Sequence, residues 1–112
     1  MPDVPPPTEA LAELAAVLGD DNVKTLVRTF LRDFPGSLKE LQGGDRKNRH
    51  RVAHSMKSNT RLMGAMMLSE RMADLEKRLD DPTGVDVTVV DIASITSEFE
   101  EIARPLRAFV GA

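Results

Sequence analysis

Residues 45–65, DRKNRHRVAHSMKSNTRLMGA, decide how this chain folds. At about 100° per residue, Val52, Met56, Asn59, Thr60 and Met63 fall on one stripe, the period of an amphipathic helix. Asp45 is a natural N-cap, and Gly64 is placed to end the helix near Met63. His54 points roughly opposite to the core stripe. His50, Arg51, Lys57, Ser58 and Arg61 share its side. The segment therefore offers an imidazole on a rigid, solvated helix, ringed by cations and small polar groups. A histidine that carries an anion such as a phosphoryl group needs those surroundings.

The flanking segments repeat the helical period. Pro2, Pro5, Pro6 and Pro7 make residues 1–7 an extended arm. Thr8 is placed to cap a short helix with Leu11, Leu14, Ala15 and Leu18 on one side, and Gly19 ends it. Val23, Leu26, Val27, Phe30, Leu31, Phe34, Leu38 and Leu41 follow in phase across Pro35, which predicts one long helix with a kink. Leu68, Met72, Leu75 and Leu79 mark a fourth helix. Thr88 and Asp91 have capping-box spacing ahead of Ile92, Ile95, Phe99, Ile102, Leu106 and Phe109. Pro105 is expected to bend the end of that last helix. Val85 to Val90 is β-branched, but a strand there would lack a partner. The expected architecture is all-α: residues 8–112 form an up-down four-helix bundle with a short additional N-terminal helix.

Composition narrows the function. The chain has 112 residues, enough for one domain with a real core. It has no cysteine, so neither disulfides nor thiolate chemistry are expected. Residues 45–61 hold six Lys/Arg against Asp45 alone, a local charge of +5 in a chain whose net charge is −3. That pattern suits a local anion or an acidic partner better than a long polyanion. With four Phe, no Trp and no Tyr, base stacking is poorly served, and no nucleic-acid partner is expected. The start lacks the features of a secretory signal, and no apolar run reaches the ~18–20 residues of a membrane span. A cytoplasmic location without membrane contact is the expectation.

The order His54-x-x-Lys57-small-(x)5-Gly64-Ala65, continued by Leu68-(x)6-Leu75-Glu76, resembles the centre of the histidine-containing phosphotransfer (HPt) domain. The preceding helix with Phe30, Leu31, Pro35 and Leu38 is also similar to members of that family, and the resemblance spans roughly residues 8–110. It implies that His54 is the phosphorylated residue, that Lys57 neutralises the phosphoryl group, and that Gly64 serves the tight turn. It implies partners too: receiver domains of response regulators, and a hybrid sensor histidine kinase. The chain would be a phosphohistidine carrier in a multistep two-component phosphorelay. Mg²⁺ would sit on the receiver, with no cofactor held here. The family most often has Gly directly after the lysine, where this chain has Ser58.

The chemistry is consistent with that role. A neutral imidazole is a competent nucleophile near neutral pH. The neighbouring cations are expected to leave its lone pair free. Phosphoryl transfer asks for in-line positioning and charge stabilisation, to which Lys57 brings a point charge and Arg61 a planar fork. Ser58 offers a small surface or a hydrogen bond. No Walker A loop, nucleotide fingerprint or kinase motif set is present, so no ATP site and no kinase activity are expected. His50 and His54 lie four apart, but without a third ligand and among cations they are not expected to bind a metal. A monomer is expected. The alternative is a helical-bundle interaction module that docks receivers without phosphotransfer.

Overall fold

The computed structural model describes residues 4–111. The part of the proline-rich arm at residues 1–3, and residue 112, lie outside the described residues. Five helices follow one another: α1 (Glu9–Leu18), α2 (Asp20–Glu40), α3 (Arg46–Leu62), α4 (Met66–Asp80) and α5 (Val89–Val110). Val4 to Pro7 are not helical, as four prolines within seven residues require. No strand occurs among the described residues, and Val85–Val87 are loop. The result is the expected all-α bundle with a short N-terminal helix.

Helix boundaries follow the local chemistry. The Thr8 hydroxyl accepts from the Leu11 amide at 3.2 Å, and Asp45 accepts from the Asn48 amide at 2.8 Å. Thr88 and Asp91 form a reciprocal capping box at the head of α5. Gly19 closes α1 and precedes α2 directly, so the two helices meet at one residue. α2 runs unbroken through Pro35, and α5 through Pro105.

The core is one cluster drawn from all five helices. Phe34 and Phe99 stack with ring centroids 4.1 Å apart, and Phe30 joins them at 5.5 and 6.0 Å, tying α2 to α5. α3 and α4 pack most extensively, antiparallel across the Gly64 turn. In α3 the buried residues are Val52, Ala53, Met56 and Thr60. Asn59, expected on that stripe, is exposed instead, and Ala53 is buried in its place. Asn59 lies at the edge of the stripe beside a shallow groove between α2 and α3, where an amide keeps water that burial would strip away. Of the methionines near the turn, Met63 and Met72 are core, whereas Met66 and Met67 are exposed.

Candidate functional site

α3 presents His54 to solvent, with its side chain 60% exposed. The ring is not free to turn. Its Nδ1 lies 2.5 Å from Glu76 Oε2, across the α3–α4 interface. The other oxygen, Oε1, accepts from Lys57 Nζ at 2.8 Å. Glu76 thus binds His54 and Lys57 with one oxygen each. Its side chain is only 17% exposed, so the bridge sits at the seam between the helices, with the imidazole outermost.

The charge state of Glu76 sets the tautomer of His54. Burial by itself pushes the Glu76 carboxyl up, but hydrogen bonds from Lys57 and His54, with their charges, outweigh this and hold it below its usual range. Glu76 is therefore ionised at neutral pH and can only accept. Nδ1 must then carry the proton that is donated, and in the neutral ring the lone pair falls on Nε2. The free, outward nitrogen is the nucleophilic one. The group at contact distance from the imidazole is thus a carboxylate, rather than the cations expected from the sequence.

The structure brings His54 and Lys57 together, through Glu76, and leaves the other candidates farther out. Ser58 and Arg61 are both exposed, and among the described residues no hydrogen bond or ion pair links either to His54 or Lys57. They line a shallow groove with Glu13, Leu14 and Val17 of α1 and with Leu62. Gly64 has φ +77°, and a Cβ there would come within 2.4 Å of the Thr8 hydroxyl. That hydroxyl donates to the Met63 carbonyl at 2.9 Å, so the tight turn also receives the start of α1. His50 lies 3.8 Å from Asp80 and takes no part in the bridge. Among the described residues no group of three or more His, Asp or Glu could hold a metal ion. No helix among them is long and apolar enough to cross a membrane.

Glu76 is the residue that sequence reasoning left without a role. The one available signal was its spacing: it ends the Leu68-(x)6-Leu75-Glu76 run and falls on the side of α4 that faces α3. No family model, curated protein or solved structure matches this chain. The functional reading therefore stands on the chemistry of the His54–Glu76–Lys57 bridge.

Proposed function

We propose that this protein is an HPt-type phosphohistidine carrier that exchanges a phosphoryl group between His54 and the aspartate of response-regulator receiver domains. The observation that carries this reading is the exposed imidazole whose Nδ1 is held by an ionised, mostly buried glutamate. In the transfer, the Nε2 lone pair attacks the phosphorus of the receiver's aspartyl phosphate in line with the breaking P–O bond. The aspartate leaves as a carboxylate. Nδ1 keeps its proton, and the positive charge that builds on the ring faces Glu76. The reverse step regenerates the same tautomer.

Lys57 begins tied to Glu76, one side chain's length from the imidazole, so its ammonium can turn to a phosphoryl oxygen without a backbone movement. Arg51, His54, Ser58 and Arg61 recur at spacings of three, four and three, and all are exposed. This basic stripe suits the acidic pocket in which a receiver's aspartate must lie. Beside it, Leu14, Val17 and Leu62 add an apolar strip with Val17 82% exposed, area that a partner can bury while His54 reaches its pocket. Catalytic groups beyond this bridge, and the Mg²⁺, would come from the receiver.

The test is phosphotransfer from a panel of phosphorylated receiver domains, with His54→Gln as control. An acid-labile label that reaches wild type and not the variant is the expected result. Receivers that bind both proteins equally and label neither would make this a docking module instead.

A further inference from the structure

Two polar side chains stand out in the buried interior: Thr60 and Ser69. They converge on one atom. The Ser69 hydroxyl donates to the Lys57 carbonyl oxygen at 3.1 Å, and Thr60 Oγ1 lies 3.0 Å from the same oxygen and 2.8 Å from the Met56 carbonyl. Thr60 bonds back within its own helix. Ser69 reaches across from α4 to α3, and it is seven residues before Glu76. Seven residues at 100° return to within about 20° of the same direction, so Ser69 and Glu76 lie on one stripe of α4, about 10.5 Å apart along its axis. Both attach to Lys57, Ser69 to its backbone and Glu76 to its ammonium.

The buried residues around this contact are apolar and rich in methionine, with Met56 on α3, Met63 just after it, and Leu68, Met72 and Leu75 on α4. The polar contacts of Arg46 and His50 with α4 lie at its far end, at Arg78, Leu79 and Asp80. Such a surface is adhesive but not directional, and methionine adapts to small displacements. The Gly64 turn holds the start of α4 but does not set its rotation about its own axis. A rotation of 20° moves a side chain by about 2 Å at the outer radius of a helix, enough to break contacts of 2.5 and 2.8 Å. A buried hydroxyl bonded to a carbonyl on the neighbouring helix resists that rotation, because turning away leaves it unsatisfied.

We infer that Ser69 is a positioning residue, whose bond to the Lys57 carbonyl fixes the rotation and register at which Glu76 meets both His54 and Lys57. Its link to activity rests on the phosphocarrier reading; its effect on the imidazole does not. The experiment is a long-range ¹H–¹⁵N spectrum of the histidine rings in wild type, Ser69→Ala and Glu76→Gln, run alongside thermal unfolding and transfer kinetics.

Ser69→Ala is expected to stay folded, since the Lys57 carbonyl keeps its helical partner. The His54 nitrogens should move from a single Nδ1-protonated pattern towards an average of tautomers, and transfer should slow roughly fivefold, the size of one buried hydrogen bond. Ser69→Thr, which restores the hydroxyl, should return the wild-type pattern. Val52→Ala supplies a purely structural comparison that lowers the Tm without moving the His54 signals. A Ser69→Ala protein with unchanged His54 nitrogens and only a lower Tm overturns the inference. Should Ser69→Ala fail to fold, Ser69→Thr decides: wild-type His54 signals support the inference and shifted ones overturn it. If His54 takes no label while its nitrogens respond to Ser69→Ala, the phosphocarrier reading fails and the positioning role stands.

Discussion

Glu76 has no interchangeable substitute, because it must accept on both oxygens. In Glu76→Gln the amide keeps one acceptor and gains a donor. With its NH₂ towards His54, the ring would have to accept at Nδ1, and the proton would sit on Nε2, where the nucleophile is needed. On the phosphocarrier proposal, transfer from a phosphorylated receiver should fall by about tenfold or more, since hydrogen bonds to charged groups are worth ~1.5–3 kcal/mol. Single-turnover rates equal to wild type would remove Glu76 from the site. The pH dependence has a definite sign. The folded-state pKa of Glu76 lies below its ordinary value of 4.5, so the bridge is fully present above that value and is lost as pH falls through the lowered folded value. A ¹³C titration of the Glu76 carboxyl should have its midpoint below 4.5.

Among the elements, the α3–α4 turn depends most on a single residue. Gly64 and Gly111 have nearly the same backbone, at φ +77° and +78°, in different surroundings. Nothing lies within 4 Å of a Cβ at Gly111, whereas a Cβ at Gly64 meets the Thr8 side chain. Gly111→Ala should cost only the left-handed conformation, ~1–2 kcal/mol. Gly64→Ala should cost that and also the Thr8 cap, ~1 kcal/mol more. Thr8→Ala combined with Gly64→Ala should then cost less than the sum of the two singles, because each removes the same cap. Denaturant unfolding of the four proteins checks this, and strict additivity would show that Thr8 and Gly64 do not meet.

Across the whole molecule, charge is organised at the end of the bundle away from the Gly64 turn. Arg46 donates to the carbonyls of Leu79, Arg78, Asp81 and Gly84, and so holds the α4–α5 loop to the first turn of α3. Arg78 binds both oxygens of Asp91 at 3.0 and 2.8 Å. That pair, assisted by the Thr88 amide and hydroxyl, lowers the Asp91 carboxyl from 3.8 to about 2 despite its burial. A depressed carboxylate stabilises the fold above its unfolded value and ceases to do so as pH falls through the folded one. About 2 kcal/mol should therefore disappear between pH ~4 and ~2. Asp91→Asn should flatten that part of the stability profile, measured by urea unfolding at stepped pH. A profile unchanged by the substitution would place the acid sensitivity elsewhere. Arg46→Lys should fail to restore what Arg46→Ala loses, because an ammonium has three donors on one atom and cannot span four carbonyls.

The sequence by itself determined the five helices, the N-caps of three of them and the outward direction of His54. Those features are local: apolar residues at a 3.6-residue period, a hydroxyl or carboxylate at each of three N-caps, and glycines where φ turns positive. It also placed Lys57 one turn from His54, which is a property of α3 alone. Asn59 escaped it because one residue at the edge of a stripe can lie in a groove or in the core, and only the neighbouring helix decides which. Glu76 escaped it for a stronger reason. Glu76 is 22 residues from His54 along the chain, on another helix. Its contact depends on the rotation and register of α4 against α3, which hydrophobic periodicity leaves free within a few ångströms. Tertiary packing settled that through the Gly64 turn and the buried polar contact below the bridge. It thereby decided which nitrogen of His54 is left open.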